Sequence, residues 1–446
     1  VQAGIENQVA PAASEAKASL LAHALPFDPL DRHAALSQLP ESCGVFALFA
    51  EDPKAEPYLA KASNLRRRLQ RFLSPAPTQS RRLQLAARIC RIEYTESGSD
   101  FASDLVFYHA AHAVEKMHGA GGRTATTRLR LRPAAFLKLG MANPYPRAMV
   151  TTRLSRAETA KSSENEPVGP FPSRASAERY LEEVLDLFLL RRCIENLDPN
   201  PAHPGCVYSE MKKCLAPCYQ GCTDERYAEE AIAVRDFLRT HGESLLRKIA
   251  AERTAAAEQL EFEQAAALHQ RYEKVEAVAA QMPEAARPLS QLTGIILQPG
   301  SAPDHVDLFA IERGGLSGPV AYSTLGMRLH NELSGSSSLY TQPMALEPVP
   351  LEEGPILSKE AQKDMLEARL DDALLTLKES SAASDLNDHL SLFARWFYRP
   401  ATRRIGEVIF ADADGAIPKR AVLRAISRIA AATQFGMPSK AAKWHA

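Results

Sequence analysis

The chain has no run of 18 or more apolar residues, so no transmembrane helix is expected. Its first residues also lack the basic start, apolar core and small-residue cleavage site of a secretory signal, which points to a cytoplasmic protein with no membrane partner. Acidic residues are missing from two long stretches. Between Tyr58 and Ile92 there are nine Lys or Arg and no Asp or Glu, and the same holds from Lys116 to Ala157. The net charge of -1 hides this asymmetry. A surface so depleted of acids suits a polyanion, of which the phosphate backbone is the commonest.

Proline is absent from about Asp224 to Met282, a stretch of good helix formers broken only near Gly242 and at Gln259 to Glu261. Elsewhere the pattern changes often, as expected of 446 residues, which is too long for one ordinary core. Residues 1 to 37 are Ala-rich, lack firm periodicity and read as a partly ordered extension. GVFALFA, PYLA and RICRIEYTE read as strands, Asn64 is placed to cap a helix carrying arginines, and SDFASDLVFYHAAHAVEKM has helical spacing. Residues 157 to 170 suit a linker, and Ser173 opens a helix. Beyond Pro283, LTGIILQ, HVDLFAIER and GPVAYSTLG read as strands. Helices near 359 to 378 and 386 to 398, the strand GEVIFA and a helix from about 417 to 434 follow. The fold class implied is α/β and multidomain. Its parts are a small basic domain (38–156), a cysteine-rich region (157–223), a helical hairpin region (224–285) and a terminal α/β domain of the ribonuclease H kind (286–446).

Seven cysteines are present, and in a reducing compartment clustered ones are metal ligands more readily than disulfides. Cys193, Cys206, Cys214 and Cys218 fall within 26 residues, and Cys222 is a spare. Structural zinc sites favour two close pairs. Only one close pair is clear here, so a 4Fe-4S cluster is favoured and zinc is the alternative.

Four segments, in order, carry a family resemblance. LPESCGVF with YLAKASNLRRRL resembles the start of a GIY-YIG nuclease domain. VGPFPSRASAERYLEEVLDLFLLRRC and CVYSEMKKCLAPCYQ are similar to the cysteine region of the UvrC excinuclease family, and QLEFEQAAALHQRYEKVEAV resembles its UVR hairpin. The resemblance covers residues 38 to 285 and extends more loosely over 290 to 435, as an incomplete ribonuclease-H-like domain. The family's active ribonuclease-H-like nuclease and helix-hairpin-helix module have no counterpart in this chain.

What the resemblance implies is nucleotide excision repair, with DNA and UvrB as partners. Tyr58, Lys61 and Arg68 match retained catalytic positions, and Arg66, Arg67, Arg71, Arg81 and Arg82 are expected to bind DNA. Phe262, Ala265, Ala266 and Tyr272 are expected to meet the partner protein. The four cysteines match the family's cysteine block. Other positions depart: Phe46 replaces a tyrosine, Ala60 a glycine, and Phe107 falls where a metal-binding Glu belongs. Phenylalanine cannot ligate Mg²⁺. Asp104 or Glu115 could supply a displaced carboxylate, because residues three, four or seven apart share a helix face. The expectation is therefore a protein that binds DNA and UvrB with weak or no incision. The alternative is an active GIY-YIG endonuclease incising on the 3′ side, which alone would need Mg²⁺.

Overall fold

The computed structural model describes residues 19–52, 54–73, 85–118, 128–155, 166–327, 359–379, 385–412 and 414–434. It divides into two compact units, residues 1–129 and 130–446. Arg81 and Arg82 lie outside the described residues.

The first unit is a four-stranded antiparallel sheet in the order β1-β4-β2-β3, with β1 at His23–Pro26, β2 at Gly44–Ala50, β3 at Tyr58–Ala62 and β4 at Ile89–Glu96. Helices α1 (Arg32–Gln38), α2 (Leu65–Leu73) and α3 (Asp100–His118) complete it. The apolar core gathers Phe46, Leu48, Leu65, Leu69, Leu73 and Ile92. Residues 1 to 37, read from the sequence as a partly ordered extension, contribute ordered structure at their C-terminal end. Residues 23–26 form an edge strand paired with β4. The physical reason is Glu93, a buried carboxylate on β4. It accepts hydrogen bonds from the backbone N–H groups of Leu20 (2.7 Å) and Leu21 (3.1 Å) and pairs with Arg91 at 3.0 Å.

The second unit contains two sheets. One has the order β6-β5-β7-β8, built from β5 (Ala135–Leu139), β6 (Ala148–Thr151), β7 (Val168–Phe171) and β8 (Arg287–Pro288). It joins strands from both sides of the expected linker, so residues 135–151 and 168–171 share a core. Helices α4 (Arg174–Leu185), α5 (Val207–Glu210), α6 (Asp224–Arg239), α7 (Glu243–Glu258) and α8 (Phe262–Ala279) follow. Ser173 caps α4 by accepting from the Ser176 N–H, as the sequence suggests. Gly242, at φ 88°, separates α6 from α7, a left-handed position that glycine adopts without a Cβ penalty.

The other sheet has the order β11-β10-β9-β12, from β9 (Gly294–Pro299), β10 (His305–Glu312), β11 (Gly315–Ser323) and β12 (Glu407–Phe410). Helices α9 (Lys359–Glu379), α10 (Leu386–Phe397) and α11 (Lys419–Gln434) accompany it. The element order is the one read from the sequence. The sheet is nevertheless wholly antiparallel, β12 included, whereas an α/β crossover would return its strand parallel.

This sheet buries Asp307 opposite Gln298, whose amide is fully buried with no partner among the described residues. Burial pushes the Asp307 carboxyl up to about 6. A carboxyl raised on folding binds its proton more tightly in the native state, so native stability falls as pH rises from about 4 through 6. Asp307→Asn should remove this loss. Thermal melts are expected to coincide with wild type at pH 4 and to show the variant more stable by roughly 2 kcal/mol at pH 8.

Candidate nucleic-acid cleft and cysteine centre

The basic cleft grows out of one short helix. Leu65, Leu69 and Leu73 recur every fourth residue and are fully buried, which fixes the core-facing stripe of α2. Arg67, Arg68 and Arg71 are thereby turned away from the core. Asn64 caps the helix, its Oδ1 accepting from the Arg67 N–H at 2.8 Å. No acidic residue occupies the first turn, although the partial positive charge of a helix N-terminus disfavours cations there. The charge density is thus held against local preference.

Lys61, Ala62, Ser63, Asn64, Arg67, Arg68 and Arg71 line a cleft of about 430 Å³. No carboxylate is among these lining residues. Arg68 has its Nε enclosed without a hydrogen-bond partner among the described residues. Arg66 is committed elsewhere, donating to the Leu39 carbonyl (2.6 Å) and to Glu41 (2.7 Å).

Alternation along β3 puts Tyr58 and Lys61 on opposite faces of the strand. Tyr58 stacks on Phe72 of α2 at 5.1 Å between centroids and does not line the cleft. Lys61 reaches the other way, to α3, and forms an ion pair with Asp104. Of the three retained positions, the structure therefore brings Lys61 and Arg68 together and leaves Tyr58 aside. Asp104 is buried. Phe107, three residues on, is also buried, and Phe46 is fully buried in β2 opposite Ala60. Glu115 lies about 16 Å farther along α3 than Asp104 and sits 3.9 Å from His112, so it cannot serve this cleft.

The second constellation begins where α4 ends. Cys193, Cys206, Cys214 and Cys218, with Arg191, Arg192 and Tyr208, line one small cavity. Cys206 caps α5, and Cys218 sits in a tight turn between Ala216 and Gln220, both left-handed. The Ala216 N–H donates to the Cys214 sulfur at 3.3 Å and Arg191 Nη1 to the Cys193 sulfur at 3.6 Å. Burial pushes the Cys214 thiol up to about 11 and the Cys218 thiol upward as well. Cys222 packs instead at the margin of the middle core. Among the described residues, no group of three or more His, Cys, Asp or Glu is spaced to hold a single metal ion. The donor chemistry, four thiols facing one cavity, still suits a soft metal centre.

Helices α7 and α8 form an antiparallel hairpin whose base packs into the middle core through Leu245, Ile249, Val275 and Val278. Tyr272 is turned inward beneath the Arg253 guanidinium, 5.5 Å from the ring centroid. Ala265 is half-buried and Ala266 exposed. At the turn, Leu260 (71% exposed) and Phe262 (67%) are left to solvent. Motif reasoning misses Leu260, for which its place between two helices is the available signal.

Comparison with known proteins finds a family match over the middle of the chain. Residues 136–237 match the family model of the UvrC/Cho excinuclease middle domain, which covers β5 through most of α6 and all four cavity-lining cysteines. The UvrABC system protein C of Rickettsia bellii is 26% identical over 236 residues, covering 53% of this chain and 35% of the relative. That of Rickettsia felis is 27% identical, covering 53% and 34%, and that of Rickettsia canadensis 27%, covering 53% and 35%. What the chain is similar to, over about half of its length, is the UvrC family. The matched region spans about a third of the length of these curated relatives, and no solved structure matches the chain.

The Lys61–Asp104 pair has a measurable consequence. Asp104 is buried while Lys61 is about one-third exposed, so removing Lys61 takes the counter-charge from one buried carboxylate. Lys61→Met should destabilise the first unit by roughly 2 kcal/mol, and adding Asp104→Leu should recover most of it. Urea unfolding of the two variants checks this.

Proposed function

We propose that this chain is a nucleotide excision repair protein that holds DNA in the α2 cleft and meets UvrB through the α7–α8 hairpin, with weak or no incision of its own. One observation carries the binding reading: Lys61, Arg67, Arg68 and Arg71 line a cleft beside which the buried carboxylate of Asp104 is already neutralised by Lys61. Such a cleft grips phosphate oxygens. GIY-YIG chemistry needs a divalent ion to generate the nucleophile and shield the phosphate. Here the ion would have to displace Lys61 from Asp104.

A second reading, 3′-side incision, is favoured by the same Asp104, because it places one carboxylate next to the basic cleft. The test is a nicking assay on lesion-containing duplex with UvrB and Mg²⁺ or Mn²⁺, alongside DNA binding measured over a salt series. Binding without nicks is expected. Arg67→Ala, Arg68→Ala and Arg71→Ala should each weaken binding and lower the salt slope by about one. Metal-dependent single nicks lost in Asp104→Asn and Arg68→Ala would establish the second reading instead.

The exposed Leu260 and Phe262 at the hairpin turn are apolar anchors of the kind that seat a helical hairpin on a partner. Acidic residues flank them, which favours protein over DNA. Phe262→Ser should abolish co-elution with UvrB while leaving the melt unchanged. Tyr272→Ala should instead lower the melting temperature, since Tyr272 packs within the hairpin.

The four cavity-lining cysteines would hold a 4Fe-4S cluster, with zinc as the alternative. Number and residue type carry this reading, four soft donors lining one cavity. When bound, either centre would tie the segment around residues 193–218 into a fixed shape.

A further inference from the structure

Arg191 is 3% exposed, and a guanidinium stays charged under all ordinary conditions. Burying such a group costs several kcal/mol unless an anion accompanies it. Its Nε donates to the Tyr145 carbonyl and its Nη1 to the Glu195 carbonyl, both at 2.9 Å. Its backbone N–H donates to the Tyr227 hydroxyl at 3.1 Å, and that hydroxyl donates in turn to the Pro146 carbonyl at 2.8 Å. None of these partners is a carboxylate. The adjacent Arg192 resolves its charge in the usual way, with Asp186 at 2.6 Å.

Of the hydrogen-bond partners that the described residues give the Arg191 side chain, the one able to become an anion is sulfur. Its Nη1 lies 3.6 Å from the Cys193 sulfur, and the side chain lines the cavity shared with Cys206, Cys214 and Cys218. Four thiolates on a doubly positive core carry two net negative charges, because metal binding releases the thiol protons. That centre would supply the missing counter-charge, and Tyr227 and the two carbonyls hold the guanidinium against it.

We infer that Arg191 is the buried counter-cation of an anionic four-thiolate centre and a positioning residue that governs how firmly the cysteines keep their metal. The inference rests on the metal reading proposed above. A donor to a ligating sulfur stabilises the more negative state of the centre, which raises a cluster's reduction potential.

The test compares the full chain with Arg191→Met and Arg191→Lys after anaerobic purification. Iron and zinc per chain, the rate of metal loss to a chelator and, where iron is present, the midpoint potential are measured. Wild type should be loaded. Arg191→Met should lose metal roughly 10- to 100-fold faster and titrate at a more negative potential, and Arg191→Lys should recover most of both. If Arg191→Met does not fold, the neutral but hydrogen-bonding Arg191→Gln takes its place, with the same faster loss and more negative potential expected; a purely structural arginine would leave both unchanged in any folded variant. A loaded wild type whose rate and potential are matched by Arg191→Met overturns this inference alone. A wild type free of iron and zinc overturns the metal reading and the inference with it.

Discussion

The ion pair between Lys61 and Asp104 determines what the first unit can do. It joins the C-terminal end of β3 to the first turns of α3, and it decides the electrostatic character of the cleft beside it. With Asp104 neutralised at the back, the arginines of α2 face the cleft without an opposing carboxylate among its lining residues. A site arranged this way attracts phosphate. Its lining offers a divalent ion no carboxylate, and Phe107 and Phe46, buried in the core, supply neither oxygen nor hydroxyl.

The same physical rule operates in the second unit with its signs reversed. There a cation is buried without a carboxylate among its hydrogen-bond partners, and the cysteine sulfurs beside it are the groups able to become anions. In both places local stability is given up: α2 tolerates four arginines in nine residues with none of its first-turn positions acidic, and Arg191 is enclosed by carbonyls and a thiol. Departures from local preference of this kind are where function concentrates.

Local signals in the sequence were legible where they depend on near neighbours. The strands around GVFALFA and RICRIEYTE, the Asn64 and Ser173 caps, the breaks at Gly242 and near Leu260, and the convergence of four cysteines with Cys222 left out all follow from spacing. The features that were not legible depend on distant partners. Glu93 looks like any polar strand residue until Leu20 and Leu21 are seen bonded to it. Arg191 and Arg192 are indistinguishable in sequence, yet one meets Asp186 and the other turns inward. Tyr58 and Tyr272 carry the residue types their motifs ask for, but strand alternation and hairpin packing direct their rings to Phe72 and Arg253. Pairing of Lys61 with Asp104 spans 43 positions, beyond the reach of any periodicity.

In this account the carboxylate beside the cleft, Asp104, serves a lysine and not a metal. Titration of the intact chain with Mn²⁺ in the presence of duplex DNA, followed by the loss of free-ion paramagnetic signal, tests that claim most directly. Identical curves are expected for wild type and Asp104→Asn. Stoichiometric Mn²⁺ uptake by wild type that disappears in Asp104→Asn would contradict it.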